Sequence, residues 1–191
     1  MPQAQRSTPK SERTRAAILA AARALFAAQG YERTTVRDVA AAAAVDPALV
    51  IRYFASKDAL FARATTFDLR LPDLGAVPPA RLGRAVAAHF LDQWEGPASG
   101  ALTILLRAAA TSEDAADRMR AIFAGQVVPL LARMAPPAEV AARAGLVSSQ
   151  LLGLALARYV LKLPPVVAMQ RDQIVRWVGP ALQRYIAGKL E

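Results

Sequence analysis

Alanine supplies 44 of the 191 residues, and this abundance constrains the fold more than any other feature of the sequence. Alanine has the highest helix propensity of the amino acids, whereas strands prefer β-branched and aromatic residues. Aromatic residues make up only 6% of the chain. We therefore predict an all-α fold and exclude an all-β sandwich or a Rossmann sheet.

The residues on which most metal centres and nucleophilic enzymes depend are scarce. The chain has no Cys and one His, which excludes disulfides, thiol catalysis, thiolate metal sites and a multi-His site. Neither glycine-rich phosphate motif, G-x-x-x-x-G-K-[ST] or G-x-G-x-x-G, occurs. We expect no catalytic residue, no metal and no cofactor, and we predict that the protein is not an enzyme.

Positive charge is concentrated toward the N-terminus. The formal net charge is +9, and residues 1–63 hold ten Lys and Arg against five Asp and Glu. An excess of this kind suggests an acidic partner, either nucleic acid or an anionic membrane surface. A compositional explanation is also open, because 20 Arg against 4 Lys, in an alanine-rich chain, is typical of a GC-rich genome.

Neither a targeting segment nor a membrane span is indicated. The first fifteen residues are polar and basic, without an apolar stretch. The longest apolar candidate, at 145–161, is interrupted by Ser148, Ser149, Gln150 and Arg158. We interpret it as a buried or interface helix, because a membrane span needs a longer uninterrupted run. A cytoplasmic protein without a membrane partner is therefore expected.

Apolar periodicity and capping residues predict four helices in the first part of the chain, at about 11–29, 34–43, 47–54 and 57–69. Gly30 suits the left-handed position that follows a helix. Thr34 and Thr35 offer an N-cap for the second helix, and Ser56 offers one for the fourth. Asp46 followed by Pro47 is a typical opening for the third.

Beyond these helices, residues 71–79 contain three prolines and a glycine and are predicted to be a linker. Five more helices follow, at about 80–95, 101–111, 113–135, 138–163 and 171–189, which makes about nine in total. Pro129 and Pro180 lie inside two of them. Each is expected to bend or interrupt its helix, because proline lacks a backbone N–H.

Two short helices joined by a tight turn, after a longer amphipathic helix, form a helix-turn-helix arrangement. The apolar, turn and capping positions are Ile18-Leu19, Ala21-Ala22, Leu25-Phe26, Gly30, Thr34-Thr35, Val39-Ala40, Ala43, Val45, Tyr53-Phe54, Ser56-Lys57 and Leu60. In this order and spacing, residues 13–63 resemble the DNA-binding domain of the TetR family of transcriptional regulators.

The resemblance implies a homodimeric repressor that binds a pseudo-palindromic operator in double-stranded DNA and is released by a small, largely apolar effector. The effector's identity is unknown.

The resemblance also implies a domain organisation: a basic flexible arm (1–10), a helix-turn-helix DNA-binding domain (11–70), a Pro-rich linker (71–79) and a ligand-binding and dimerisation domain (80–191). A transcriptional activator and a ligand-independent regulator of the same fold are the alternatives. A basic amphipathic protein acting on membranes is disfavoured by the Pro-bounded helices.

The resemblance also implies which residues read bases. In such a unit the second short helix lies in the major groove and the first crosses the DNA backbone. Arg37 is the strongest candidate, because a guanidinium pairs with guanine O6 and N7, and Arg52 is placed for a base edge or a phosphate. Pro47, Ala48 and Leu49 have no side-chain donors, so we expect them to read thymine methyl groups or groove shape.

Phosphate contacts are implied for Thr35, Tyr53 and Lys57. Four basic residues near the N-terminus are expected in the minor groove or on phosphates, namely Arg6, Lys10, Arg13 and Arg15.

Three positions depart from the family pattern. Ala44 stands in place of the usual turn glycine and takes a positive φ only at a cost. Ile51 replaces a Tyr, so one phosphate contact is expected to be lost, and Ala48 replaces a Gly with little expected effect.

The second half of the chain carries weaker signals. Ligand sites in helical domains form between helices with apolar walls and few polar groups. Candidate lining residues are His89, Phe90, Trp94, Leu105, Arg107, Met119, Phe123 and Tyr159. Alternatively, each of these is a residue of the core.

The last two long helices are the candidate dimer interface, because two from each chain form a four-helix bundle by two-fold symmetry. The candidate interface residues are Val147, Leu151, Leu154, Val175, Val178 and Leu182. The alternative is that both apolar faces serve the core of the single chain.

Overall fold

The computed structural model describes residues 10–66, 68–96 and 99–188. Across these ranges the chain is helical and contains no strand, which confirms the all-α fold class. The chain divides into two compact units, Met1–Phe67 and Asp68–Glu191.

Within residues 10–66 the first unit contains four helices. They are α1 (Lys10–Arg33), α2 (Val36–Ala42), α3 (Pro47–Phe54) and α4 (Lys57–Ala64). Its core is built from the apolar side chains Ile18, Ala22, Phe26, Val39, Ala40, Val50, Phe54, Leu60 and Phe61, all nearly or fully buried. The fourth helix ends at Ala64 rather than near residue 69, and the Thr65 hydroxyl donates to the Phe61 carbonyl at 2.8 Å.

Gly30 kinks α1 near its C-terminal end. Its φ of 82° and ψ of 172° fall in a region that is essentially restricted to glycine. The positive φ agrees with the prediction, but the chain returns to helix as far as Arg33, so the helix is longer than predicted. The buried Thr34 closes this end, since its hydroxyl donates to the Gly30 carbonyl at 2.8 Å.

The second unit contains seven helices in its described part. They are α5 (Leu82–Glu95), α6 (Ser99–Ala108), α7 (Glu113–Ile122), α8 (Val128–Ala132), α9 (Val140–Ala155), α10 (Pro164–Ala168) and α11 (Arg171–Ala187). Its main core cluster consists of Leu74, Leu82, Ala87, Leu131, Val140, Ala144, Val147, Leu182 and Ile186. The stretch predicted as a linker is part of this unit, because Leu74 is 2% exposed within the cluster.

Proline has different effects in two helices. A π-helical turn at Phe123–Val127 separates α7 from α8 immediately before Pro129, where an interruption was expected. The helix α11 continues through Pro180 without interruption. The helix α10 lies between the helices predicted at 138–163 and 171–189. Pro164 and Pro165 are compatible with it because they occupy its first turn, where a missing N–H is tolerated.

The helices α5 and α11 approach each other closely at two glycines. A Cβ on Gly83 would lie 2.2 Å from the Gly179 carbonyl oxygen and 2.3 Å from the Gln183 nitrogen. The Gln183 side chain accepts a bond from the Gly83 N–H at 2.9 Å and donates to the Pro79 carbonyl at 2.9 Å. Gln183 therefore caps α5, whose own N-cap residue makes no side-chain capping bond.

The helical stretch Pro137–Val160 is long and apolar enough to cross a membrane by length and composition alone, with a mean hydropathy of 1.4. It contains α9 and a π-helical turn at Leu156–Val160. On one side α9 packs against α5, α8 and α11. On the other it exposes leucines.

Candidate functional site

The helix α2 begins with a reciprocal capping box. The Asp38 N–H donates to the Thr35 hydroxyl oxygen at 3.1 Å, while the Thr35 N–H and hydroxyl both donate to Asp38 Oδ2 at 2.8 Å. These bonds lower the pKa of the Asp38 carboxyl below its ordinary value, with the Thr35 backbone bond the larger cause. Both Thr35 donors predicted for a phosphate are therefore engaged by a carboxylate.

The turn between α2 and α3 is a Schellman motif centred on Ala44. The Val45 N–H donates to the Ala40 carbonyl at 3.0 Å, and the Ala44 N–H donates to the Ala41 carbonyl at 3.1 Å. Ala44 has a φ of 52°, the left-handed conformation that favours glycine. The chain thus forms this turn with an alanine in a strained position.

The helix α3 buries one face and leaves the other open. Asp46 caps it by accepting a bond from the Ala48 N–H at 2.7 Å, and Pro47 occupies its first turn. Val50 and Phe54 are buried. The exposed side chains of α3 are Pro47, Ala48, Ile51 and Arg52, and the half-buried ones are Leu49 and Tyr53.

A tight bend separates α3 from α4. Ala55 has a φ of 66°, and the Ser56 N–H donates to the Phe54 carbonyl at 2.8 Å across it. The Ser56 hydroxyl oxygen then accepts a bond from the Ala59 N–H at 3.0 Å and caps α4. This bend places Lys57 in the first turn of α4.

Lys57 is held by the end of α1. Its ammonium lies 4.1 Å from the centroid of the Tyr31 ring and donates to the Glu32 carbonyl at 3.4 Å. The Tyr31 hydroxyl donates to the Asp58 carboxylate, and its ring packs against Phe61 with centroids 4.8 Å apart. Tyr31 was not predicted as a site residue, because its role depends on a contact between distant segments of the chain.

The basic residues of the first unit lie on helices in its described part. Arg37 is exposed on α2, where a base-reading residue was predicted. Arg13 and Arg15 belong to α1, as predicted, and Lys10 is the first residue of that helix rather than part of the predicted arm. The Arg15 guanidinium carbon lies 5.6 Å from the Phe54 ring centroid. Arg6 lies outside the described residues.

Three of the predicted pocket residues come together in the second unit. Trp94 and Tyr159 stack with centroids 5.1 Å apart, and Phe90 lies 5.8 Å from Trp94 and 6.5 Å from Tyr159. The Tyr159 hydroxyl donates to Glu95 Oε1 at 3.2 Å. Burial, followed by the negative charge of Glu95, raises the pKa of Tyr159 to about 12.

The other predicted pocket residues occupy separate positions. His89 Nε2 lies 2.8 Å from the Leu69 carbonyl, which only accepts, so this nitrogen carries the proton. Arg107 is exposed near the end of α6, and Met119 is half-buried on α7. Phe123 packs against the main core cluster. Leu105 is fully buried.

The candidate dimer residues divide into core and partly exposed positions. Val147 and Leu182 are 4% and 0% exposed and pack within the core of the single chain. Leu151, Val175 and Val178 pack partly against the same core, and Leu154 is half-buried.

Other apolar side chains on the same helices face outward. Leu146, Leu152 and Leu156 are 40%, 37% and 41% exposed on α9 and its π-helical turn, and Trp177 is 74% exposed on α11. These four residues, which we call the outer apolar face, were not predicted from the sequence. The spacing of Leu152 and Leu156 by four residues was the available signal.

Comparison with known proteins places both units in one family. Residues 18–64 match the family model of bacterial regulatory proteins of the tetR family. Residues 80–186 match the model of the tetracyclin repressor-like C-terminal domain. Together these matches cover both the helix-turn-helix and most of the second unit.

Individual relatives agree with the family models. The chain is 46% identical over 61 residues to the HTH-type transcriptional regulator TcmR of Streptomyces glaucescens, a match that spans 28% of this chain and 27% of that protein. It is similar to a TetR-family regulator from Streptomyces coelicolor A3, with 28% identity, coverage of 95% of this chain and 99% of the other, and a TM-score of 0.63.

A third relative shares the fold. NalD, the secondary repressor of the MexAB-OprM multidrug efflux pump in Pseudomonas aeruginosa, is 22% identical, with coverage of 96% of this chain and 100% of the other and a TM-score of 0.72. The match to the C-terminal model alone covers more than half of the chain. The chain therefore belongs to the TetR family of bacterial transcriptional regulators and is not an enzyme.

Proposed function

We propose that this regulator is a cytoplasmic homodimeric repressor that binds a pseudo-palindromic operator and is released by a small, largely apolar effector. The observation that carries the proposal is the pair of capped short helices α2 and α3, which expose Arg37 and Arg52. In a helix-turn-helix the exposed face of the second helix enters the major groove. A transcriptional activator and a ligand-independent regulator remain the alternatives.

Base reading is assigned to Arg37 and Arg52, since guanidinium groups pair with guanine in the major groove. Pro47, Ala48 and Leu49 contribute apolar contacts to thymine methyl groups or read groove shape. None of these three side chains has a hydrogen-bond donor.

Phosphate binding is assigned to Tyr53 and Lys57, with Lys10, Arg13 and Arg15 adding positive charge from α1. An ammonium has three donors. The Lys57 ammonium donates one hydrogen bond to the backbone carbonyl of Glu32 and lies over the Tyr31 ring. This arrangement leaves an N–H donor for a phosphate oxygen. Thr35 joins this set only if a phosphate competes with the Asp38 carboxylate for its donors.

Dimerisation is assigned to the outer apolar face. Leu146, Leu152, Leu156 and Trp177 lie on α9, its π-helical turn and α11, which pack together. Large side chains exposed together mark a surface that another molecule covers. A two-fold axis through this face would use the same residues from both copies.

The effector site is assigned to the region of the Phe90, Trp94 and Tyr159 rings. Aromatic walls with a few polar groups are typical of sites for small apolar ligands. Glu95 and Arg158 supply polar groups beside the rings, and the two form an ion pair at 3.3 Å.

Selection of binding sites from a random duplex pool at about physiological salt tests the proposal. The proposal predicts a motif with two-fold symmetry, recovered by the wild type and lost by the double variant Arg37→Ala, Lys57→Ala. Arg133→Ala is a control for the loss of an exposed positive charge outside the first unit. Recovery of no motif, with only salt-sensitive general binding, would contradict sequence-specific recognition.

A sedimentation measurement tests the dimer separately. Trp177→Glu places a charge on the outer apolar face and is expected to shift the protein toward monomer. A charge is tolerated at a position that is 74% exposed in the single chain, so the fold should persist. An unchanged dimer would show that the two copies meet elsewhere.

A further inference from the structure

Ile51 points outward from α3, and within residues 10–66 about half of it stays exposed. Among residues 10–66 it is the only large apolar side chain in an exposed position, at 46%. The opposite face of α3 supplies Val50 and Phe54 to the core, at 1% and 6% exposed. The fold of this unit therefore does not require an apolar side chain at position 51, so this side chain is available for a contact outside the unit.

The exposed face of α3 is apolar around Ile51, with the Arg52 side chain next to it and the capping carboxylate of Asp46 at its N-terminal end. Ile51 follows Ala48 by three residues and Pro47 by four, so these side chains share one face of α3. Arg52, and Arg37 on α2, are exposed as well. Arg52 is the one exposed α3 side chain that donates hydrogen bonds. Exposed guanidinium groups beside an apolar patch suit a polyanion rather than an apolar protein surface.

The major groove of DNA offers one apolar group to such a surface, the C5 methyl of thymine. Isoleucine cannot donate a hydrogen bond to a phosphate or to a base edge. We propose that Ile51 contacts the C5 methyl of a thymine in each operator half-site and thereby distinguishes thymine from the other bases. This inference rests on the proposed function, because it requires α3 to lie in the major groove.

Uracil tests the contact with a change of a single methyl group. Each thymine of the selected operator is replaced in turn by uracil, and the Kd of the wild type is measured for each duplex. One position in each half-site is expected to weaken binding by about three- to tenfold, since a buried methyl group is lost there. Uracil at the other thymine positions tests the methyl contacts proposed for Pro47, Ala48 and Leu49.

Variants identify the side chain responsible. Ile51→Ala is expected to bind the thymine operator about as weakly as the wild type binds the uracil operator, and to bind both duplexes equally. Because Ile51 lies outside the core, this variant should unfold at the wild-type temperature. Arg52→Ala is the matched control on the same face, and it should lose affinity while keeping the full penalty for uracil.

Two results would overturn the inference without affecting the proposed function. One is a symmetric operator in which no uracil replacement weakens the wild type. The other is an Ile51→Ala variant that keeps the wild-type penalty for uracil. Recovery of no operator at all would instead overturn the proposed function, and the inference with it.

Discussion

The ammonium of Lys57 lies 4.1 Å from the centroid of the Tyr31 ring, so the end of α1 holds the first residue of α4. The ring is itself held by Phe26 and Phe61, with centroid distances of 6.0 Å and 4.8 Å. A cation over an aromatic face at an exposed site is stabilised by about 0.5–1 kcal/mol. This contact limits the directions in which Lys57 can present its charge.

Tyr31→Leu should therefore weaken operator binding by about two- to fivefold through loss of this contact. Lys57→Ala should weaken binding further and reduce the slope of log K against log salt by about 1. Tyr31→Phe keeps the ring and should bind nearly as the wild type does. Fluorescence anisotropy over a range of salt concentrations measures all three variants.

A double variant distinguishes an effect of Tyr31 on the position of Lys57 from an effect of Tyr31 on the stability of the first unit. If Tyr31 acts through Lys57, Tyr31→Leu should have no further effect on affinity when Lys57 is already Ala. An equal loss in both backgrounds would mean that Tyr31 acts on the fold of the unit alone.

Ala44→Gly should stabilise the first unit. Ala44 has a φ of 52° in the turn between α2 and α3, and a left-handed alanine costs roughly 1–2 kcal/mol. Part of the gain is offset because glycine increases the entropy of the unfolded chain by about 0.4–1 kcal/mol. A net rise of about 0.5–1 kcal/mol is expected in urea unfolding. Ala41→Gly, inside α2, is the control and should destabilise.

Gly83→Ala should destabilise the second unit by about 1–3 kcal/mol, as overpacking usually does. Its Cβ would meet backbone atoms of α11 that cannot move independently, at 2.2 Å and 2.3 Å. Gly145→Ala is the matched control within α9, since a Cβ there meets nothing within 4 Å. Thermal unfolding by circular dichroism compares the two. Equal unfolding temperatures would contradict the close approach of α5 and α11.

Arg143 joins α9 to the end of α11. It is 4% exposed, and its guanidinium donates to the carbonyls of Tyr185 at 2.8 Å and Gly188 at 2.6 Å and pairs with Glu139. Arg143→Ala should cost roughly 3 kcal/mol, because the two carbonyls and the carboxylate lose their donor. Arg143→Lys should recover only part of this loss, since an ammonium lacks the planar fork.

Denaturant unfolding measures this loss for both variants. Arg133→Ala, which breaks an exposed pair with Asp73, should change stability by less than about 1 kcal/mol. A comparable loss in the exposed variant would show that Arg143 has no special role.

The capping box of α2 should make the first unit sensitive to acid. The folded pKa of Asp38 lies below its ordinary value of 3.8, so the stabilisation is present above that value and is lost as the pH falls through the folded pKa. Unfolding temperatures measured from pH 7 to pH 2 should fall more steeply for the wild type than for Asp38→Asn. Parallel curves would rule out a contribution from the ionised carboxylate.

Local signals predicted much of the first unit. The residue pair Asp46-Pro47 and the cap Ser56 correctly marked the starts of α3 and α4, because capping depends on residues a few positions apart. The position of Ala44 in the helix-turn-helix also pointed to its positive φ. These features depend little on the rest of the fold.

Features that depend on distant contacts were not predictable. Periodicity placed Val147 and Leu182 on apolar faces, but it could not show that those faces pack into the core while Leu152 and Trp177 remain exposed. The capping of α5 by Gln183 likewise depends on an approach between helices about a hundred residues apart. Only the folded chain shows which of several apolar faces is covered.

A chemical footprint on the selected operator tests most directly that two copies bind through paired α3 helices. The account predicts two protected major-groove patches on one face of the duplex, related by two-fold symmetry and centred about 34–36 Å apart or a multiple of that distance. A single protected patch, or protection without symmetry, would contradict it.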